Sequence, residues 1–264
     1  MKKALVTLNV SESKRLIAKS VAKLPQVKSA IKNGMIVIAG GTTNGYIAEE
    51  LTGKKLNKEL YTAGVVCQGR GCITPEEERI APIVLDKGKI SDLSWVEALD
   101  KLGKDDVFIK GGNAVDINNN VGIMVAHPQG GTIGAALGTV IARGVHLILP
   151  VGLEKLIPSV HQASLVGGIE EIDYSLGMPV GLVPVTTGQV ISETEAINRL
   201  YDIEATPFAA GGIGASQGSI SMLLKGEDTK VSQAFGDLKE IKGEKELKGT
   251  KQKCPCRRPC SYFK

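Results

Sequence analysis

The chain has 264 residues, a formal net charge of +4 and 42% hydrophobic residues, which fits one large or two modest globular domains. Its apolar runs are shorter than the roughly 18 residues of a membrane span and than a signal-peptide core, so we expect a cytoplasmic protein with no membrane partner. The excess positive charge lies from residue 238 onward. The body is therefore mildly acidic, and a specific nucleic-acid interface is not expected.

The first part of the chain alternates between helical patterns and a buried strand. A helix is predicted over 12–23 with Ser11 as its N-cap, and a second helical pattern over 27–32 ends at Asn33-Gly34. The continuous apolar run 35–39 indicates a strand covered on both faces, as in a parallel sheet. A glycine- and threonine-rich loop follows, and a helix is predicted over 46–51.

The same strand, glycine turn and helix recur further along. Residues 106–110 predict a strand, 133–143 a helix and 144–151 the next strand. Alternating units of this kind predict an α/β fold with a mainly parallel, Rossmann-like sheet over residues 1–178.

The pattern changes after about residue 178. A strand over 181–187, a helix over 193–201 capped by Ser192, strands over 204–210 and 218–225, and a helix over 229–241 are predicted. This order is typical of a ferredoxin-like subdomain, which we place at residues 179–243. Residues 244–264 form a basic, cysteine-rich tail.

The loop after the first buried strand suits an anionic ligand. At a helix N-terminus, free backbone N–H groups and the helix dipole favour phosphate or carboxylate. The alternative is a tight turn in which a threonine is an ordinary cap. The loop matches neither the P-loop nor the dinucleotide fingerprint. The predicted ligand-binding residues here are Gly40, Gly41, Thr42, Thr43 and Asn44.

A second group of candidates follows the strand at 106–110, because ligands lie at the carboxyl ends of parallel strands. Lys110 would neutralise an anion or act as an amine nucleophile, and Asp116 and His127 are the other candidate catalytic residues. The alternatives are a surface lysine, turn hydrogen bonds made by Asn113 and Asp116, and a plain hydrogen-bonding histidine. His146 is expected in the core. Further predicted ligand contacts are Gly111, Gly112, Asn113, Gly130, Gly131 and Thr132.

The five cysteines lie in two places, and this spacing in a cytosolic protein suggests metal or redox chemistry. Cys67 and Cys72 could chelate a metal or form a loop disulfide, or be one buried and one incidental cysteine. The tail thiolates could hold Zn²⁺ or part of an iron–sulfur cluster, with a fourth ligand from elsewhere. The alternative is a mobile basic tail with reactive cysteines. The candidate metal ligands are Cys254, Cys256 and Cys260.

Residues 30–43 resemble the opening of the superfamily of ribose-5-phosphate isomerase, glucosamine-6-phosphate deaminase and the CoA-transferases. Its members commonly show a helix, Asp/Asn-Gly, a short apolar strand and Gly-x-Gly-Thr/Ser-Thr. Residues 109–116 resemble the isomerases' Asp-Gly-Ala-Asp-Glu-Val strand end, and 130–149 the glycine turn, helix and strand that follow. The latter is also similar to the catalytic-like domain of translation-initiation-factor-2B subunits. The resemblance covers roughly residues 13–160 and implies a Rossmann-like fold and a phosphate loop.

The sequence departs from this superfamily at the positions where the isomerases have their catalytic residues. Lys110 and Asn113 stand where the isomerases have aspartates, and the proton-transferring glutamate falls near Ala136. An aldose–ketose isomerisation needs a base, and no carboxylate stands at the matched place.

We therefore expect binding of a small anionic metabolite, a phosphorylated sugar or an acyl- or CoA-type ligand, with isomerase, lyase or transferase activity. The alternatives are a non-catalytic sensing or regulatory subunit, or a metal-binding interaction protein. A homo-oligomer is expected.

Overall fold

The computed structural model describes residues 1–67 and 69–249, which form eight α-helices and fourteen strands. The helices are α1 (Val10–Lys23), α2 (Pro25–Asn33), α3 (Thr42–Thr52), α4 (Trp95–Leu99), α5 (Gly131–Ala142), α6 (Val160–Ser164), α7 (Glu193–Tyr201) and α8 (Asp228–Ile241). The strands are β1 (Lys2–Leu8), β2 (Met35–Ile38), β3 (Gly64–Cys67), β4 (Arg70–Ile73), β5 (Ile83–Asp86), β6 (Lys89–Ile90), β7 (Val107–Ile109), β8 (Ala114–Val115), β9 (Val121–Val125), β10 (His146–Pro150), β11 (Gly181–Val185), β12 (Gln189–Ile191), β13 (Glu204–Gly211) and β14 (Ser219–Gly226).

The central element is a six-stranded mixed sheet in the order β12-β10-β7-β2-β5-β6. Strands β12, β10, β7 and β2 are mutually parallel, whereas β5 is antiparallel to β2 and to β6. The mainly parallel sheet expected from the sequence is thus parallel over four strands and antiparallel at one edge. The carboxyl ends of the four parallel strands meet at one edge of the sheet, where ligands bind in such folds.

Two hydrophobic layers cover the sheet because successive strand residues point to opposite faces. On β2, Ile36 and Ile38 pack in one core with α1 and α3, while Val37 lies in the other core with α4 and α5. These side chains are fully buried. Each such burial contributes about 1.5–3 kcal/mol, so the two layers fix the sheet relative to the helices.

A smaller antiparallel sheet has the order β1-β14-β13. Its first strand is unexpected: β1 pairs with β14 along its whole length, from Lys2 opposite Gly226 to Leu8 opposite Ile220. The strand expected at 181–187 lies elsewhere, since β11 pairs with β9. Gly122 of β9 lies in close contact across this pairing, since a Cβ there would lie 3.0 Å from the Leu182 side chain.

The chain crosses the expected domain division near residue 178 in both directions. From the C-terminal side β12 joins the large sheet, and from the N-terminal side β1 joins the small one. The division stays a prediction about domains, but both sheets draw on chain from either side of it.

The start of α1 differs from the prediction by two residues. Its N-cap is Asn9 and not Ser11: the Asn9 side chain accepts the Glu12 N–H, and the Glu12 carboxylate accepts the Asn9 N–H, both at 2.9 Å. This reciprocal capping box satisfies two backbone donors at the start of the helix. It also fixes where the remaining side chains of α1 point.

Among the described helices, none combines the length and the apolarity that crossing a lipid bilayer requires.

Candidate functional site

The 40–44 loop joins β2 to the N-terminus of α3. The helix begins at Thr42, four residues earlier than predicted, and Gly41 precedes it with φ +155°, a conformation that favours glycine. The Gly41 N–H donates to the Tyr61 carbonyl at 2.6 Å. The N–H groups of the first turn of α3 have no intrahelical acceptor, so the loop presents backbone donors at the positive end of the helix dipole.

Lys14 reaches this loop from α1. Its Nζ donates to Thr42 Oγ1 at 2.9 Å, and the side chain is half-buried. Burial and the nearby Lys155 ammonium lower the pKa of Lys14 to about 8, partly offset by the Glu154 carboxylate. A cation at the positive end of a helix is unfavourable without an anion. A negative group beside this pair would offset the unfavourable charge.

Lys110 lies immediately after β7, the strand between β2 and β10. Its backbone N–H donates to Ile148, and its Nζ donates to the carbonyl of neighbouring Gly111 at 3.1 Å. Burial and the Lys155 ammonium lower the pKa of Lys110 to about 8. We call Lys14, Lys110 and Lys155 the basic cluster, since Lys155 acts electrostatically on both of the others.

Lys155 comes from a short 3₁₀ turn, Leu153–Lys155, that follows β10. Its Nζ lies 3.1 Å from Glu154 Oε1, and both side chains are largely covered. The other carboxylate oxygen of Glu154 is buried, without a hydrogen bond from any described residue. A Cβ at Gly152 would lie 1.8 Å from this oxygen, so glycine at 152 leaves the space that the Glu154 carboxylate occupies.

Glu193 is the second acidic group, placed at the first residue of α7 just after β12. It is fully buried, and its Oε2 accepts the Leu153 N–H at 2.9 Å. The buried Ser13 hydroxyl of α1 also interacts with this carboxyl group and favours its ionised form. Burial, followed by the negative charge of Glu154, raises the pKa of Glu193 to about 7. This carboxyl group can therefore gain and lose a proton near neutral pH.

Asn44 connects the loop to the neighbouring strand. Its Nδ2 donates to the Ala39 carbonyl at 2.8 Å and, less closely, to the Ile109 carbonyl at 3.4 Å. Its Oδ1 is buried, with no donor among the described residues, and a Cβ at Gly111 would lie 3.4 Å from it. Thr43 is buried beside it. The structure thus brings the 40–44 loop together with Lys110 and Gly111.

Gly112 has a packing role, because a Cβ there would lie 2.4 Å from the Val121 side chain. Nearby, the exposed Asn113 accepts the Met124 N–H through Oδ1 at 3.0 Å and donates its own N–H to Gly122. These contacts hold the loop between β7 and β9.

The Asp116 carboxylate stabilises the turn after β8 through hydrogen bonds. It accepts backbone N–H groups of Asn118, Asn120 and Val160, and the side-chain amide of Asn120, all at 3.0–3.1 Å. Burial alone would raise its pKa, but these hydrogen bonds, that of the Asn120 amide foremost, lower it overall. The carboxylate is fully engaged, as in the turn alternative considered for this residue.

His127 is exposed, and its Nδ1 accepts the Gln129 N–H at 3.1 Å. Gly130 and Gly131 have left-handed φ angles of +73° and +57° and lead with Thr132 into α5. Within residues 1–67 and 69–249, no hydrogen bond or ion pair joins this segment to the basic cluster. His146 is exposed at the start of β10, so its expected core position is wrong.

Sequence reasoning missed four residues of the site: Lys14, Glu154, Lys155 and Glu193. Glu154, Lys155 and Glu193 follow the apolar strands β10 and β12, as Lys110 follows β7. Inspecting the end of the predicted strand 144–151 for charged residues would have found Glu154 and Lys155. Glu193 follows β12, a strand that was not predicted. Lys14 offers no such signal, because only the packing of α1 on α3 brings it to Thr42.

The structure describes two of the five cysteines. Cys254, Cys256 and Cys260 lie outside the described residues. Cys67 and Cys72 are buried free thiols on the β3–β4 hairpin, so the loop disulfide is not formed, and the Cys67 thiol donates to the Gly249 carbonyl. Over residues 1–67 and 69–249, no group of three or more His, Cys, Asp or Glu side chains is arranged to hold a metal ion.

No protein-family model and no curated protein matches this chain. A solved structure of D-ribose-5-phosphate isomerase in complex with phospho-erythronic acid aligns with 83% of this chain and 80% of its own, with 17% identity and a TM-score of 0.30. That score is too low to support an argument about ligand or reaction. The chain is a mixed α/β protein whose similarity to this isomerase is weak and confined to the level of the fold.

Proposed function

We propose that this protein binds a small phosphorylated metabolite at the carboxyl edge of its large sheet, with the phosphate at the N-terminus of α3. The observation that carries the proposal is the 2.9 Å contact between Lys14 Nζ and Thr42 Oγ1 at the start of an eleven-residue helix. The ammonium, the threonine hydroxyl and the free backbone N–H groups are donors that phosphate oxygens accept.

The balance of charge in the site supports an anionic ligand. The basic cluster supplies three cations, and only Lys155 has a carboxylate within salt-bridge distance among the described residues. Of the two acidic groups, Glu193 is protonated in roughly half of the molecules at pH 7. Partly buried cations without counter-charges are costly. A bound dianion offsets this cost.

The rest of the ligand would lie along the strand ends towards Lys110, Glu154 and Glu193. The buried Glu154 Oε2, which has no donor among the described residues, suits a hydroxyl group of a sugar or polyol, since a hydroxyl donates one hydrogen bond. This favours a phosphorylated sugar over an acyl-CoA ligand. Turnover of the bound ligand distinguishes an enzyme from a sensing subunit.

Thermal shift and titration calorimetry test the proposal with inorganic phosphate, ribose 5-phosphate, unphosphorylated ribose and coenzyme A. Phosphate and ribose 5-phosphate should raise the melting temperature, because ligands that bind the folded state stabilise it by mass action. Lys14→Ala should weaken phosphate binding about tenfold or more, because it removes a charged hydrogen-bond donor.

The matched control is Lys23→Ala, which removes an exposed lysine from the same helix. It should bind phosphate as the wild type does. Equal phosphate affinity in the Lys14 and Lys23 variants, or no stabilisation by saturating phosphate and ribose 5-phosphate, would refute the proposal.

A further inference from the structure

The three lysines of the basic cluster differ in what their ammonium groups contact. Lys14 donates to the Thr42 hydroxyl, and Lys155 lies against the Glu154 carboxylate. Lys110 contacts only the main-chain carbonyl of Gly111, with no carboxylate or hydroxyl partner in the described part of the chain. Two lysines are therefore engaged with polar side chains, and the third is left for a ligand.

The position of Lys110 in the sheet also suits contact with a ligand. It follows β7, between the 40–44 loop after β2 and the turn with Glu154 after β10. The buried, unpaired Oδ1 of Asn44 faces Gly111, the residue next to Lys110. A ligand that placed its phosphate at Thr42 and extended along the strand ends would pass Lys110 before it reached the carboxyl groups.

We propose that Lys110 is a nucleophilic amine that forms an imine with the carbonyl carbon of a phosphorylated aldehyde or ketone bound at the 40–44 loop. This inference rests on the proposed function, because the loop holds the phosphate that brings the carbonyl group to the amine. It adds a reactive residue and narrows the ligand class to phosphates with a free carbonyl.

The environment of Lys110 supports a reactive amine. A lysine attacks carbonyl carbon only in its neutral form, and desolvation or a neighbouring cation favours that form. Both act on Lys110, through burial and through Lys155, and bring its pKa to about 8. Roughly a tenth of the molecules then carry the neutral amine at pH 7.

The step balances without an added oxidant or reductant. The Nζ lone pair forms a bond to the carbonyl carbon, and the carbon–oxygen double bond becomes a single bond. The two hydrogens of the neutral amine leave with the oxygen as water, and a carbon–nitrogen double bond remains. Water added across that bond regenerates Lys110 and the carbonyl compound.

Reductive trapping with pyridoxal 5′-phosphate tests the inference, since this probe carries an aldehyde and a phosphate in one molecule. The protein is incubated with the probe near pH 8, reduced with sodium borohydride and mapped by peptide mass spectrometry. We expect about one probe per chain, attached to Lys110, and suppression of labelling by inorganic phosphate.

Two variants sharpen the test. Lys110→Arg keeps the positive charge but cannot form an imine, so it should lose the label at least tenfold while its circular dichroism spectrum stays that of the folded protein. Lys104→Arg changes an exposed lysine before the same strand and should label as the wild type does.

Label on Lys14, on Lys155 or spread over exposed lysines would overturn the inference. Labelling of Lys110 that phosphate does not suppress would overturn it as well. If phosphate stabilises the protein but Lys110 takes no label, the amine role fails while the proposed function stands. If phosphate neither stabilises the protein nor competes with the probe, the proposed function itself fails.

Discussion

The carboxylate of Glu193 accepts the backbone N–H of Leu153 at 2.9 Å, which ties the first residue of α7 to the turn after β10. That turn carries Glu154 and Lys155. The hydrogen bond therefore places an acid and a base of the site through a carboxyl group that is itself fully buried. Stability and protonation are coupled at this point of the fold.

The first prediction concerns the pH dependence of stability at Glu193. Its pKa is about 7 in the folded state, above the ordinary glutamate value of 4.5, so the folded state binds this proton more tightly than the unfolded state. Stability from this group is then complete below pH 4.5 and is lost as pH rises towards 7, by up to about 3 kcal/mol.

Glu193→Gln should remove this loss of stability at higher pH, because glutamine does not titrate. Its amide oxygen can still accept the hydrogen bond from the Leu153 N–H. Urea unfolding at pH 5 and pH 8 should therefore show the variant gaining on the wild type as pH rises. Glu195→Gln, on the same helix but partly exposed, is the control. A constant difference between Glu193→Gln and the wild type at both pH values would contradict the prediction.

The second prediction concerns Arg15, whose guanidinium contacts Glu49, Glu50 and Glu244 at 2.6–2.9 Å. The arginine and Glu49 are almost completely covered, with side-chain exposures of 8% and 4%. Arg15→Ala should destabilise the protein by about 3–5 kcal/mol, because it leaves buried charge incompletely compensated. Chemical denaturation at pH 7 measures the effect.

Arg199→Ala provides the comparison, since its ion pair with Glu195 is exposed and is worth at most about 0.5 kcal/mol. Stability losses of similar size in the two arginine variants would contradict the prediction for the buried ion pairs of Arg15. Acid titration adds a check. Burial opposes ionisation of Glu49, but Lys58 and Arg15 lower its pKa to about 2, so the stability it gives is present above pH 4.5 and lost as pH falls towards 2.

The third prediction concerns Gly177, which pairs with Gly71 of β4. Its φ is +114°, and a Cβ there would lie 2.5–2.6 Å from backbone atoms of Gly71. Gly177→Ala should therefore cost about 1–3 kcal/mol or more, since backbone cannot move aside as a flexible side chain can. Gly64→Ala, where a Cβ meets nothing within 4 Å, should be nearly neutral. Melting temperatures of the two variants compare them directly, and equal values would refute the prediction.

The fourth prediction concerns anion binding and pH, with sulfate as the probe because it does not titrate in this range. The pKa values of Lys14 and Lys110 are about 8, so both lose their charge as pH rises through 8. Sulfate affinity should fall about tenfold or more between pH 7 and pH 9.5, which corresponds to about 1.4 kcal/mol or more. Calorimetry on the wild type and on Lys14→Ala checks this. The variant should bind sulfate more weakly at pH 7, and its affinity should fall less as pH rises. A wild-type sulfate affinity that is the same at pH 7 and pH 9.5 would contradict the role of the two lysines in anion binding.

Local patterns predicted much of the fold. The helix at Glu193–Tyr201 has its predicted bounds, and β2, β7 and β10 lie within the apolar runs that indicated them. Strand β1 escaped detection because its short, lysine-led sequence becomes a strand only by pairing with β14 at the far end of the chain. Such a pairing is not encoded in local periodicity.

Some residues of the candidate site could likewise be predicted from the sequence, and others could not. The 40–44 loop and Lys110 were found because glycine turns and strand ends are visible in sequence. Glu193 could not be placed beside Glu154 without the order of β10 and β12 in the sheet, and Lys14 needed the packing of α1. Asp116 shows the converse, since a polar residue at a strand end has its carboxylate occupied by turn hydrogen bonds.

The pairing of β1 with β14 has a consequence for biosynthesis. Roughly two hundred residues must leave the ribosome after β1 before its partner is available, which takes about 10–40 s at 5–20 residues per second. During that interval the exposed strand edge is open to wrong partners, including other nascent chains. Helix α1, which brings Lys14 to Thr42, follows directly from this strand, so the proposed phosphate site should mature only after β14 has emerged.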